Sequence, residues 1–416
     1  MGNKSADGKR GFWRSALRYL PLVFFLLVVA VVFGISTFHQ VKLVDFGDHL
    51  DWTKKMAEQG YVYNLPHTLF AKSVIILRAL IPYNLIAHVS NHLMSVVNFK
   101  SYDIAAILLI TAAYILTAWL LWRKAFKVFD EKGIRRANLL AILTAGVLLL
   151  VGPVFIFTYP RQLYIGYFSP NPLQSPTYLL LRPLALLWFW LTCEHFFGRT
   201  GWKTALYAAV LILLATSSLP LFSMTFGPAI ALVFLIFYAK RWKEFNWGLA
   251  LSMAGVVILV LAVQFWISYT SPGSDRVLIA PFKSMLHWTK NVGWVFLKLL
   301  MSILFPLYVT LYYWKENKHN LAYRLGWMNF GVALVLAILL AEQQKYTHGN
   351  FFWGVMIATF ILFVLAAIQY ISDLAGKLQR KAALWMDYIP ALLLALHLVC
   401  GVIYFIQSLS ANALVL

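Results

Sequence analysis

The amino-acid sequence predicts an all-α integral membrane protein, built as a polytopic bundle of about eleven transmembrane helices. Hydrophobic residues make up 61% of the 416 residues and charged residues only 12%, about half the charged share of a soluble domain. Apolar runs near the roughly 20 residues that a bilayer requires recur to the end of the chain. We therefore expect a basic cytoplasmic start at 1–19 and a single transmembrane domain over 20–416.

The lengths of the apolar runs define eleven predicted transmembrane segments. In chain order they are 20–38, 102–122, 138–158, 178–197, 204–220, 224–239, 246–269, 291–313, 325–341, 351–372 and 387–408. The first follows five basic residues and lacks a small-residue cleavage site, which favours a signal anchor over a removed signal peptide. Residues 39–101 form a long first outer loop. Its apolar part, 69–90, is interrupted by charged residues and a proline, so we interpret it as interfacial or re-entrant.

Lysine and arginine set the predicted orientation. With the amino terminus in the cytoplasm, the segments predicted to be inside hold 22 of the 35 basic residues and the outer loops hold 11. Basic residues concentrate on the cytoplasmic side of membrane proteins, so we predict a multi-pass protein of the cell membrane. The net charge of +20 then indicates contact with anionic lipid of the bilayer and no nucleic-acid partner. The predicted inner segments carry basic residues and little else of interest.

Three aspartates lie close together just after the first predicted helix. Asp45, Asp48 and Asp51 fall within nine residues that also contain His49, at the predicted outer surface. Clustered carboxylates raise one another's pKa, bind a cation, or leave one group ionised as a base. The alternative interpretation is structural, with Asp48 as the N-cap of a short helix.

Aromatic, amide and hydroxyl side chains fill the predicted outer loop 159–177. These side chains stack on and hydrogen-bond to sugars, and four prolines restrict the backbone. Arg182 follows one turn into the next helix, where an arginine is costly in lipid and needs an anionic partner or a watery cavity. The alternative is a proline-rich connector whose aromatic residues anchor the helices at the interface.

Two further outer loops combine charged side chains. Residues 342–350 place an acid, a lysine and a histidine at two helix ends, and a local ion pair between Glu342 and Lys345 would be the structural alternative. The loop 270–290 adds basic residues that suit a phosphate group, or that extend from the interface towards water. The residues expected to bind substrate are Arg161, Asn171, Tyr178, Arg182, Glu342, Lys345, His348 and Asn350.

The chain resembles the GT-C-type glycosyltransferases, multi-pass enzymes that use polyprenyl-phosphate sugars as donors. The resemblance rests on a short cytoplasmic start, one helix, and a long first outer loop with an early acidic motif. It implies that an aspartate of this loop is the catalytic base, and order in the chain carries that role onto Asp48, with Asp45 and Asp51 as alternates. The Asp48–His49 pair resembles acidic-His variants of bacterial members, and 171–178 and 348–351 resemble stretches of others.

A GT-C-like fold implies a defined activity and defined partners. The enzyme would move a sugar, with inversion, from a polyprenyl-phosphate-linked donor to an envelope glycan acceptor, a polysaccharide or a glycolipid, at the outer face. No cofactor is required, and no metal site is predicted; the three aspartates permit a divalent cation, but their spacing argues against an obligatory one. The alternatives are a lipid or polysaccharide transporter or flippase, and an assembly protein in which the aspartates cap a helix.

Overall fold

A computed structural model of the chain describes residues 4–41, 44–60, 65–80, 101–155, 166–173, 175–270, 276–289 and 291–409. The α-helices are α1 (Lys4–Gln40), α2 (Val44–Gln59), α3 (Leu65–Leu80), α4 (Ser101–Glu131), α5 (Ala137–Leu150), α6 (Pro176–Glu194), α7 (Trp202–Ser218), α8 (Pro220–Val233), α9 (Trp247–Thr270), α10 (Lys283–Trp288), α11 (Val292–Tyr312), α12 (Trp314–Asn317), α13 (Leu321–Leu339), α14 (Phe352–Gln379) and α15 (Ile389–Leu409). Two short strands, β1 (Val277–Ile279) and β2 (Leu340–Glu342), pair antiparallel. Short π- and 3-10-helical turns are Phe234–Tyr238, Ala239–Arg241, Tyr346–His348 and Trp385–Tyr388.

Eight segments of the described residues are helices long and apolar enough to cross a membrane. They are Tyr19–Gln40, Ser101–Glu131, Pro220–Arg241, Trp247–Trp266, Val292–Tyr312, Leu321–Leu339, Tyr346–Gln379 and Trp385–Leu409. The apolar helices α5 and α7 are shorter. Every predicted transmembrane segment contains a helix, so the prediction of an all-α membrane protein is confirmed at that level. The number of crossings, eleven, stays a prediction.

The third predicted segment, 138–158, is wrong at its carboxyl end. Helix α5 ends at Leu150, and Val151 has an extended conformation with φ −56° and ψ 138°. The cause is Pro153, which has no N–H to donate and disfavours helical geometry at Gly152 before it. Proline thus ends the helix although the sequence remains apolar. The predicted segment is too long because its end was taken from the length of the apolar run alone.

The described part of the predicted first outer loop is helical. Helix α2 begins at Val44, so Asp48 lies inside the helix and the prediction that it is the N-cap is wrong. Helix α3 packs against α4 and α7, and Arg78 donates to the hydroxyl of Tyr102 at 2.6 Å. Residues 81–90, the second half of the predicted re-entrant stretch, lie outside the described residues.

Helix α14 is the centre of the bundle. In the apolar stretch of α14 that is long enough to cross a membrane, 83% of the residues are buried. The corresponding share is 28% for α1 and 17% for α9. It packs against α13, α11, α8, α5, α4 and α6. Alanines such as Ala358, Ala366 and Ala367 are fully enclosed, and small side chains let neighbouring helices approach closely in a membrane.

Candidate functional site

The chain is unwound and buried immediately after α5. Residues 151–155, called the unwound segment below, are all buried. The N–H of Gly152 donates to the carbonyl of His397 at 3.0 Å, and the N–H of Val154 donates to the carbonyl of Met301 at 3.1 Å. Irregular backbone at membrane depth needs such internal partners, because lipid supplies none. The unwound segment is therefore held between α11 and α15.

His397 fixes the unwound segment through both ring nitrogens. Its Nδ1 lies 2.6 Å from the carbonyl oxygen of Gly152, and the N–H of Phe305 donates to its Nε2 at 3.4 Å. A carbonyl oxygen only accepts, so Nδ1 carries the proton and Nε2 is the acceptor. His397 is thus a fully buried side chain that joins three parts of the chain, a structural role.

The described part of the predicted outer loop lies inside the protein. Residues 166–173, called the buried loop below, are all buried except Gly166, which is half-buried. The N–H of Phe168 donates to Oγ of Ser302 at 3.0 Å, and the ring of Phe168 lies 5.5 Å from that of Phe352. These residues therefore lie within the protein, enclosed by α11 and α14, and sugar binding by the loop stays a prediction.

Asn171 and Tyr178 bind protein atoms around this loop. The Asn171 amide donates to the carbonyls of Leu148 at 3.2 Å and Val151 at 2.6 Å, which lack helical partners because α5 ends there. The Tyr178 hydroxyl donates to the carbonyl of Pro170 at 3.0 Å. Both predicted substrate-binding residues thus stabilise the junction between α5, the buried loop and α6.

Two buried cations flank the buried loop. Arg182 is 1% exposed, with its guanidinium carbon 4.4 Å from the ring centroid of Phe360 and 5.8 Å from that of Tyr114. Lys298 is 4% exposed, with Nζ 5.1 Å from the ring centroid of Tyr167. Each cation lies six residues into its helix, α6 or α11, about 9 Å from the amino-terminal end. That end is the positive pole of a helix, so cations and dipoles together favour an anion in this region.

Two aspartates of α2, Asp48 and Asp51, lie on its exposed face. Asp48 and Asp51 are exposed, and Asp51 pairs with Lys54 at 3.2 Å. His49 is buried, with its ring 5.7 Å from that of Phe70 on α3. Adjacent residues of a helix point about 100° apart, so the Asp48–His49 pair expected from the resemblance is divided between two faces. His49 packs α2 onto α3 and leaves Asp48 facing outwards.

Two of the predicted site residues fall outside the described residues. These are Arg161 and the side chain of Asp45. Within the described parts of the chain, no group of three His, Cys, Asp or Glu side chains has a geometry that would hold a metal ion. The role of a divalent cation stays a prediction.

The residues around β2 connect the predicted loop 342–350 with α6, the helix that follows the predicted loop 159–177. Oε2 of Glu342 accepts from Nδ2 of Asn350 at 2.7 Å. Lys345 and His348 are exposed on the turn between them. The ring of Trp353, at the start of α14, lies 5.9 Å from that of Tyr178. The 342–350 turn therefore lies next to the end of α6 that carries Arg182.

The 270–290 loop, where described, contacts the same region. Strand β1 pairs with β2, with Val277 opposite Glu342. Nζ of Lys283 lies 4.6 Å from the ring centroid of Tyr346, and the ring of His287 is 5.7 Å from it. Three loops that are far apart in sequence thus converge at one end of the bundle, the predicted outer end.

A cluster of tyrosines and charged side chains lies at the opposite end of the bundle. Lys377 binds Asp387 at 2.6 Å and Asp373 at 2.8 Å. The hydroxyl of Tyr312 donates to Asp387 at 2.6 Å, and that of Tyr313 donates to Asp373 at 2.7 Å. The expectation that the predicted inner segments hold little of interest is therefore wrong. The i, i+4 spacing of Asp373 and Lys377 in the sequence indicates an ion pair within one helix. The two tyrosines come from a different part of the sequence, so their contacts with these aspartates could not be predicted.

A lateral groove of about 700 Å³ lies between α8 and α9. Its lining is almost wholly apolar and includes none of the predicted catalytic or substrate-binding residues. The groove reaches His195 and Asn246, near the helix ends predicted to face the cytoplasm. The groove is therefore a feature separate from the three converging loops.

The structure thus divides the predicted site residues into two groups. Asn171, Tyr178, Arg182, Glu342 and Asn350 lie in the region where the three loops converge, and Lys345 and His348 are exposed at its edge. Asp48, His49 and Asp51 lie on α2, which packs on α3 and α4. Chemically, the first group offers cations and aromatic rings, and the second offers carboxylates.

A scan against models of known protein families and a search of curated proteins each found no match to this chain.

Proposed function

We propose that this chain is a glycosyltransferase of the GT-C type. It moves a sugar from a polyprenyl-phosphate donor to a cell-envelope polysaccharide or glycolipid at the outer face of the cell membrane. The observation that carries the proposal is the position of Arg182 and Lys298, two buried cations about 9 Å into their helices beside the converging loops.

The buried cations support an anionic substrate that arrives through the membrane. Charge interactions strengthen where water is excluded, so Arg182 and Lys298 attract a phosphate more strongly than surface residues would. Arginine and lysine are the usual phosphate-binding side chains. A donor used outside the cell cannot be a nucleotide sugar, because none is available there, and it must therefore be carried by a lipid. A polyprenyl phosphate has both properties, since it carries a negative charge and is a lipid.

The carboxylates of α2 supply the other half of the chemistry. The exposed carboxylate of Asp48 takes the proton of an acceptor hydroxyl, whose oxygen then attacks the anomeric carbon of the donor. The new C–O bond forms as the bond from that carbon to the phosphate oxygen breaks, with inversion, and the lipid phosphate leaves as an anion. One base suffices for this displacement. Cations near the phosphate stabilise the charge that develops on it.

The first test is the replacement of Asp48 with asparagine. We expect Asp48→Asn to abolish glycan transfer by cells that depend on this chain, because the amide cannot accept the proton. The measurement is a comparison of envelope glycans from cells with the wild-type chain, the variant, and no chain. Glu58→Gln is the matched control, since Glu58 is another exposed carboxylate on the same helix. Normal glycan with Asp48→Asn in the membrane would remove Asp48 from the mechanism.

A lipid or polysaccharide transporter or flippase is the second candidate. The unwound segment favours it, because transporters often line their sites with non-helical backbone that is buried in the protein. The two candidates differ in liposomes that contain the purified chain. Movement of labelled lipid across the bilayer without any glycosylated product supports the transporter, whereas a glycosylated product from a polyprenyl-phosphate sugar supports the transferase.

A further inference from the structure

The lateral groove between α8 and α9 has the composition of a lipid-binding surface. Its walls are mostly aliphatic and aromatic, with residues such as Met224, Ile230, Val257 and Leu261. Helices α8 and α9 both belong to segments that are long and apolar enough to cross a membrane, so the groove lies at the depth of the hydrocarbon core. A groove of about 700 Å³ at that depth is large enough to hold lipid hydrocarbon.

The groove is also long enough for a complete lipid tail. Asn246 marks one end and Leu261 lies near the other, fifteen residues further along the chain. At 1.5 Å per residue this is about 22 Å. One leaflet contributes about 15 Å of the roughly 30 Å hydrocarbon core. A tail can therefore lie along the groove with its head group near Asn246.

Positive charge surrounds the end of the groove near Asn246. The exposed basic residues of the two flanking turns, called the basic rim below, are Arg199, Lys203, Lys240, Arg241 and Lys243. The acidic residues beside them are Glu194 and Glu244. Arg241 pairs with Glu244, and this hydrogen bond holds the pKa of Glu244 below its usual value. The pair is neutral, so the remaining rim has a net positive charge.

We propose that the groove binds the tail of one anionic phospholipid, whose head group lies at the basic rim. The cytoplasmic leaflet of cell membranes is negatively charged, and each basic residue near such a surface adds to the attraction. The rim lies in turns predicted to face the cytoplasm, so charge and position agree. This site is separate from the proposed donor site, and it does not depend on transferase activity.

The test is native mass spectrometry of the full chain purified in detergent with defined phospholipids. We expect the wild-type chain to retain one phosphatidylglycerol in preference to phosphatidylcholine. Ala254→Phe fills the groove from α9, because Ala254 lines it, and the retained lipid is lost. Gly255→Phe is the matched control: Gly255 is the next residue, lies outside the lining, and has no atom within 4 Å of an added Cβ. The control retains the lipid.

A second groove-filling variant tests the proposal even if Ala254→Phe does not fold. Gly227→Phe fills the groove from α8, where an added Cβ also meets no atom within 4 Å. Circular dichroism and size-exclusion chromatography report whether each variant is folded. The combined variant Lys240→Gln and Lys243→Gln should remove the preference for phosphatidylglycerol while the groove remains open. Equal retention of both lipids by the wild-type chain, or unchanged retention in folded Ala254→Phe or Gly227→Phe, overturns the proposal.

Discussion

At the scale of single residues, two glycines decide how closely the unwound segment lies on α15. A Cβ added to Gly401 would overlap the carbonyl oxygen of Leu150, and one added to Gly152 would lie 2.9 Å from the Cα of Gly401. Both neighbours are backbone atoms, which have no rotamer through which to move aside. The hydrogen bonds between Gly152 and His397 therefore require glycine at both positions.

Replacing Gly401 with alanine should destabilise the chain. We expect Gly401→Ala to lower the free energy of unfolding by about 1–3 kcal/mol, the usual range for overpacking. The measurement is thermal unfolding of the purified chain in detergent. Gly331→Ala on α13 is the matched control, because its added Cβ meets nothing within 4 Å. Alanine there should be neutral or slightly stabilising, since it restricts the unfolded chain. Equal unfolding temperatures for both variants would contradict the packing argument.

At the scale of elements, the tyrosine and charge cluster joins three helices. Tyr312 is the last residue of α11 and Tyr313 follows it. Asp373 and Lys377 lie near the end of α14, and Asp387 precedes α15. The N–H of Leu384 also donates to Asp387 at 2.7 Å, which closes the turn between α14 and α15. Since Lys377 binds two carboxylates at once, it is the residue on which the cluster most depends.

The two ends of this ion pair should differ in their effect on stability. Asp387→Asn should cost about 1–3 kcal/mol, because it removes one of the two charged partners of the half-buried Lys377. Lys377→Met should cost more, since it leaves Asp373 and Asp387 without their shared cation. Chemical unfolding of both single variants and of the double variant measures the coupling. A double variant whose loss equals the sum of the single losses would show that the pair is not coupled.

At the scale of the whole molecule, the orientation in the membrane is the prediction on which the proposed function depends. Cysteines introduced at Glu58 on α2 and at Lys318 after α12 test it, because both positions are exposed. The background chain carries Cys193→Ala and Cys400→Ala. We expect a membrane-impermeant maleimide to label Glu58→Cys on intact cells and Lys318→Cys only after permeabilisation. The reverse pattern would place α2 in the cytosol and remove the transferase proposal.

Much of the fold was predictable from sequence, and less of the candidate site was. The eleven apolar runs all contain helices, because a bilayer forces backbone groups to bond within the segment. The burial of 166–173 was not predictable, since polar and proline-rich residues usually indicate a surface. Their partners, such as Ser302 and Leu148, are distant in sequence. The same distance hid the roles of His397 and Asp387, whose contacts exist only after the helices pack.

The burial of α14 has a consequence for how the protein is made. This helix begins at Phe352, late in the chain, yet its neighbours include α4, α5 and α6. The ribosome therefore synthesises the helices that surround α14 before it synthesises α14 itself. Until α14 inserts, Arg182 has no Phe360 beside it, and the earlier helices lack the partner that they share. A chain that stops before residue 352 therefore lacks the helix that holds the others together.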